Sequence, residues 1–179
     1  MALLPPPKSW SFDLPPRLKL RIAETITVYS SIVSCITETR WLVELKFGQV
    51  PPEEHLARKL AIAREYAHKQ GKAIKEIVEA IPGAKSDAIW PAVKEFADDR
   101  DMCAHGVWML DDQHRPIVVW HSKMLESADE IVGKYFDYHC FDHMLEIGRH
   151  LLKTFGEFKL LMEKALADGK QPAEVVAPD

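Results

Sequence analysis

Apolar residues recur along the chain at three- and four-residue steps, the spacing of one side of an α-helix. Leu18, Ile22, Ile26, Tyr29, Val33 and Ile36 form the first such stripe. They predict a helix from about Leu18 to Phe47, stopped by Gly48 and the Pro51-Pro52 pair. Glu53 and Glu54 then fall in a first turn, where negative charge meets the positive end of the helix dipole. Leu56, Leu60, Ala63 and Ala67 make the stripe of a second helix, with Gly71 as a bend or break. Ile74, Ile77, Val78 and Ile81 carry the pattern on to Pro82-Gly83. A third helix is expected from about Asp87 or Pro91 to Ala104, proline being well placed in a first turn.

The period then changes. Val107–Leu110 and Ile117–Trp120 are short β-prone runs joined by the polar segment Asp111-Asp112-Gln113-His114-Arg115, which reads as a hairpin near 107–121. Ser127 and Glu130 have capping-box spacing. Beyond them Phe141, Met144, Gly148, Leu151, Phe155, Phe158, Met162 and Ala165 alternate three- and four-residue steps, predicting a last long helix that ends near Asp168-Gly169. The expected architecture is an all-α, up-and-down bundle of four to five helices, with a small β-hairpin between the third and last long helices. Residues 17–168 form its single domain, preceded by a proline-rich extended segment, 1–16, and followed by a disordered tail, 169–179.

Composition narrows the function classes. The 179 residues suffice for one full core, and the net charge of −4 argues against coating long nucleic acid while leaving room for a small basic cleft. The three cysteines, Cys35, Cys103 and Cys140, include no CxxC, so neither a disulfide framework nor a thiolate zinc site is indicated. There is no signal peptide and no apolar run of membrane length, so the expectation is a cytoplasmic protein with no membrane contact.

The most telling stretch is Arg100–Trp108, with the sequence RDMCAHGVW. On a helix Arg100 shares a face with Ala104, and Asp101 shares one with His105. Gly106 is expected to end that helix in the left-handed conformation. A permanent cation and a base that titrates near neutrality, close to a helix end, suit work on a phosphate. A helical bundle bearing Arg-x4-His, with a polar residue directly after the arginine, resembles the HEPN superfamily. The resemblance spans about Arg17–Asp168 loosely and is specific only at those nine residues. It implies a dimer in which two Arg–His motifs meet in one cleft and cut RNA without a metal or other cofactor, in a toxin–antitoxin, phage-defence or RNA-processing role, with an antitoxin protein as partner in the toxin case. Arg100 and His105 would be the catalytic pair and Asp101 the polar residue beside them. Such cleavage uses the RNA's own 2′-hydroxyl, with one histidine per chain as base or acid and each arginine clamping the phosphate. Other members are non-catalytic dimerisation or interaction modules, which is the alternative reading.

Further residues join these hypotheses. Trp108 is a candidate for stacking a base, set against a role in the core. Arg64, Lys69, Lys72 and Lys75 offer a basic surface for phosphate, set against a merely solvated one. His139, His143, Glu146 and His150 fall on one side of the last helix and are candidate metal ligands for a third reading, a metal-binding bundle. At 100° per residue that side lies away from the Phe141–Phe155 stripe, so it should face solvent or a partner. Cys103, between Arg100 and His105, reads as a small hydrophobe.

Overall fold

The computed structural model describes residues 11–48, 50–65, 67–79, 89–120 and 132–170. Among them are five α-helices and a three-stranded antiparallel sheet. The first helix, α1 (Pro16–Trp41), carries proline at its first position and runs on into a π-helical segment, Leu42–Phe47. Gly48 closes it, its N–H donating to the Val43 carbonyl at 3.0 Å. A short 3₁₀ turn, Pro52–Glu54, leads into α2 (His55–Ala63); α3 (Ala67–Glu79) and α4 (Ile89–His105) follow. The sheet comprises β1 (Val107–Leu110), β2 (Pro116–Trp120) and β3 (Val132–Tyr135), and α5 (Tyr138–Ala167) completes the chain.

The longest packing interface joins α1 and α5, and the two run parallel. Arg17 lies over the Tyr138 ring at 4.4 Å, Arg21 bonds Asp142 at 2.6 Å, and Lys159 pairs with Glu38. Each pair is separated by the same 121 residues, so one register holds from end to end. Helix α4 runs antiparallel to both: Phe96 abuts Gly148, Trp90 meets Phe155 at 5.6 Å, and Tyr29 meets Phe96 at 6.1 Å. Helix α3 departs from strict up-and-down order: Arg40 bonds Glu65 and Thr37 bonds Gln70 at 2.6 Å, so the chain entering α3 runs back along α1, antiparallel to it as α4 is.

The core is built from Leu18, Ile32, Ile36, Val93, Phe96, Phe141, Met144, Leu151 and Phe155 among others. The stripe of α5 is as expected, with Phe158 only partly buried. That of α1 is rotated: Thr25, Ile32 and Ile36 are buried, whereas Tyr29 and Val33 are half-buried. The polar Thr25 hides this line in the sequence, and its hydroxyl is satisfied by the Arg21 carbonyl at 3.0 Å.

Three expectations are corrected. The predicted second helix divides at Arg64-Glu65, not at Gly71. Gly71 lies within α3, where a Cβ would come 2.7 Å from the Trp90 ring, so its role is close approach. The Leu56–Leu60–Ala63 stripe faces solvent, and Ile62 is the buried residue of α2. Gly106 has no positive φ; the left-handed glycine is Gly169, at φ 68°, which closes α5 with Lys170 N–H donating to Ala165 at 2.9 Å. Gly106 is instead hemmed in, because a side chain there would strike Val118 and the Met102 carbonyl.

The expected hairpin forms, with Val107 opposite Val119 and Leu110 opposite Pro116. Its turn places His114 at φ 59°, and the buried Asp111 side chain accepts from Gln113 N at 2.9 Å and Arg115 N at 2.8 Å. The third strand was not expected; Ile117 pairs with Tyr135 and Trp120 with Val132. Ser11 bridges to Leu110 on the other side, so residue 11 of the proline-rich segment is extended as expected. The rest of that segment up to residue 10, the Ser127/Glu130 capping box, the Pro82-Gly83 stop and the tail from 171 lie outside the described residues. Asp137 caps α5 by accepting from Cys140 N at 2.9 Å. Among the described residues no helix is long and apolar enough to cross a membrane.

Candidate functional site

Helix α4 carries the Arg100–His105 motif through its last turns, and the chain turns at Gly106 into β1. Arg100 belongs to the side of α4 that faces α1. Its Nη1 donates to Asp101 Oδ1 at 2.7 Å, and its guanidinium carbon stands 5.3 Å from the centre of the Tyr29 ring. Its Nε is buried without a hydrogen-bond partner. Burial, with the Asp101 charge nearby, pushes the Tyr29 phenol above its ordinary pKa, so it is neutral at physiological pH.

His105 is the last residue of α4 and is exposed, as is Asp101. At 100° per residue, five steps along an α-helix turn a side chain by roughly 140°. Arg100 therefore points toward α1, while His105 lies most of the way around the helix. Asp101 sits between them, sharing the His105 side and bonding Arg100. Within one chain the motif joins Arg100, Asp101 and Tyr29, and it leaves His105 apart. No local spacing points to Tyr29's part, since only the antiparallel contact between α1 and α4 brings it there.

Cys103 is buried, and its thiol is pushed up to about 12, chiefly by burial and further by Asp99. It is a protonated core residue. Trp108 is only 8% exposed; it stacks on Phe141 at 5.5 Å, meets Phe136 edge-on at 5.7 Å and donates its indole N–H to the Cys103 carbonyl at 3.3 Å. Base stacking by Trp108 is thereby corrected: the ring is part of the core that holds β1 on α5.

The basic candidates stand elsewhere. Arg64 caps α2 and is exposed; Lys69 and Lys72 are exposed on α3, with Lys72 3.9 Å from Glu76. Gly71, next to Lys72, packs on Trp90, ten residues before Arg100 and so roughly 15 Å along α4. The fold does not bring this surface to the motif. His139, His143, Glu146 and His150 are all exposed on α5, the solvent-facing side expected for them. Among the described residues no three His, Cys, Asp or Glu side chains converge so as to hold a metal ion.

The opposite end of the bundle holds the features that sequence reasoning missed. Arg40 is buried, and its guanidinium bonds Glu44 and Glu65, while Arg58 Nε donates to Glu44 at 2.6 Å. Burial alone would lower the Arg40 pKa, but the two carboxylates outweigh it and the value is raised; Glu65 is correspondingly lowered, first by its bond to Arg40. One signal was available: Arg40 continues the Ile32, Ile36 line of α1 by one four-residue step. Near this cluster is an open groove of about 240 Å³, lined by Trp41, Leu42, Leu45 and His55 together with Lys46, Lys59 and Lys159 and the carboxylates Glu38 and Glu163. Lys59 lies 4.9 Å from the Trp41 ring.

Comparison with known proteins found no match among protein-family models, curated proteins or solved structures.

Proposed function

We propose that the chain is a HEPN-like interaction module in which Arg100, Asp101 and Tyr29 tie α4 to α1, and that it does not cleave RNA as a single chain. The observation that carries this reading is the engagement of Arg100. Its guanidinium is paired with Asp101 at 2.7 Å and covered by Tyr29 at 5.3 Å. A phosphate clamp needs donors aimed into open space. A base and a cation that work on one phosphodiester must also reach the same few ångströms, and here they diverge around α4.

The test is incubation of the purified chain, with chelator, against single-stranded and structured RNA. No cleavage above that of the His105→Ala and Arg100→Ala variants is expected, and Arg100→Ala should lower the melting temperature through loss of the α1–α4 tie. Cleavage that vanishes in both variants would overturn the reading.

One observation favours a second reading, a metal-independent endoribonuclease acting by 2′-hydroxyl attack. Asp101 and His105 are both exposed on one side of the final turns of α4. A second chain docked there would bring a second imidazole, so that one histidine serves as base and the other as acid.

A further inference from the structure

We infer that the solvent-facing side of α2 is a self-association surface, on which a second copy of this chain lays its own α2 antiparallel. This rests on the interaction-module reading and gives that module a partner. The stripe Leu56, Leu60, Ala63 has the three- and four-residue spacing of a helix side that packs against something. Among the described residues nothing covers it: Leu56 is 70% exposed and Leu60 50%, and Ala63 is exposed too. The opposite side of the helix is already used, by buried Ile62 and by Arg58 on Glu44. Leu56 and Leu60 stand one turn apart on the same side of this short helix, so their exposed side chains form one contiguous patch rather than two scattered ones.

Charge identifies the occupant. Glu53 stands just before α2 and Arg64 just after it; both are exposed, and at helical spacing both fall on the Leu60 flank of the stripe. A two-fold axis level with Lys59 places two copies of α2 antiparallel, and in such an interface each contact occurs twice. Glu53 of each copy then meets Arg64 of the other, and Leu56 meets Ala63. A parallel arrangement would set like charges together at both ends.

This pairing leaves the motif end of each copy outside the interface. Cys103 of α4 lies level with Thr25 of α1, and the groove begins at Trp41, sixteen residues or roughly 24 Å further along. Each His105 would therefore lie well away from the shared α2 surface. A helix of nine residues presents a small face, so association in the micromolar range is expected.

The test is sedimentation of the full chain from about 1 to 100 micromolar, with circular dichroism confirming that each variant is folded. A concentration-dependent dimer is expected. Leu60→Glu should raise its dissociation constant by about 100-fold or more. Glu53→Arg and Arg64→Glu should each weaken it by roughly ten-fold, and the two together should restore it. A monomer throughout, a dimer indifferent to Leu60→Glu, or a double charge swap without rescue would overturn the inference. The last two would assign association to another face, and a monomer would leave the α2 stripe to another part of the chain or another protein. None of these outcomes bears on RNA cleavage, so failure here and failure of the module reading are distinguishable.

Discussion

The sheet end and the α2 end of this bundle treat polar and apolar groups in opposite ways. At the sheet end Trp108, Phe136 and Phe141 pack ring on ring, with Phe136 and Phe141 4.7 Å apart, and the charged residues of the motif are tied down beside them or left singly on the surface. At the α2 end an arginine is buried among carboxylates while leucines stand in water. At the motif end Trp108, Phe136 and Phe141 are covered, and Asp101 and Tyr29 hold Arg100 within the chain, although its Nε is buried unpaired. The other end carries no motif, yet it leaves Leu56 and Leu60 exposed on one helix side. A motif is legible because a few residue types stand at a fixed spacing. Availability depends on what the remainder of the fold places on top of them.

Four substitutions or titrations break or sharpen this contrast. The largest effect is expected of Trp108→Ala, which removes the ring joining β1 to α5 and should cost about 3–5 kcal/mol in chemical denaturation. A loss under 1 kcal/mol would mean that the sheet end is not packed as described. Next comes Arg40→Ala, which strands Glu65 and one oxygen of Glu44 and should cost about 3 kcal/mol. It falls at the lower end for a buried pair because Glu44 keeps Arg58 and Glu65 reaches water. Melting temperatures read in parallel would show whether the two ends contribute comparably.

Cys103 gives a smaller and pH-dependent effect. Its folded value of about 12 lies above the roughly 8.5 of an unfolded thiol. A raised pKa contributes stability that is complete below the unfolded value and is lost as pH rises toward the folded one. The chain should lose about 2 kcal/mol between pH 8 and pH 10 from this group, and Cys103→Ala should flatten that slope. An unchanged slope would place the thiol in water. The smallest effect is expected at His105→Ala, within about 0.5 kcal/mol, because the side chain is exposed at a helix end. A larger loss would show that the imidazole has a structural partner and would weaken the contrast drawn here.

Much of the framework was legible in the chain itself. Leu151, Phe155 and Met162 on α5, the Gly48 stop and the β1–β2 hairpin all follow from local periodicity and turn chemistry, which neighbours along the chain impose. Other features were hidden because their causes are distant. The third strand depends on pairing with β2, and the division of the second helix on Glu65 turning to meet Arg40. The conformations of Gly106 and Gly169 show the same divide. Both follow a helix, but only Gly169 has open space in which to take the left-handed form.

From residue order came the helical class, the long amphipathic elements and the presence of a guanidinium and an imidazole near one helix end, because spacing along a regular helix sets which side chains share a side. Folding settled the rest. It brought Tyr29 over Arg100, it enclosed Trp108, and it left Leu56 and Leu60 uncovered. The reason is that contacts between elements depend on their direction and register, and these are fixed only when all the helices compete for the same interior.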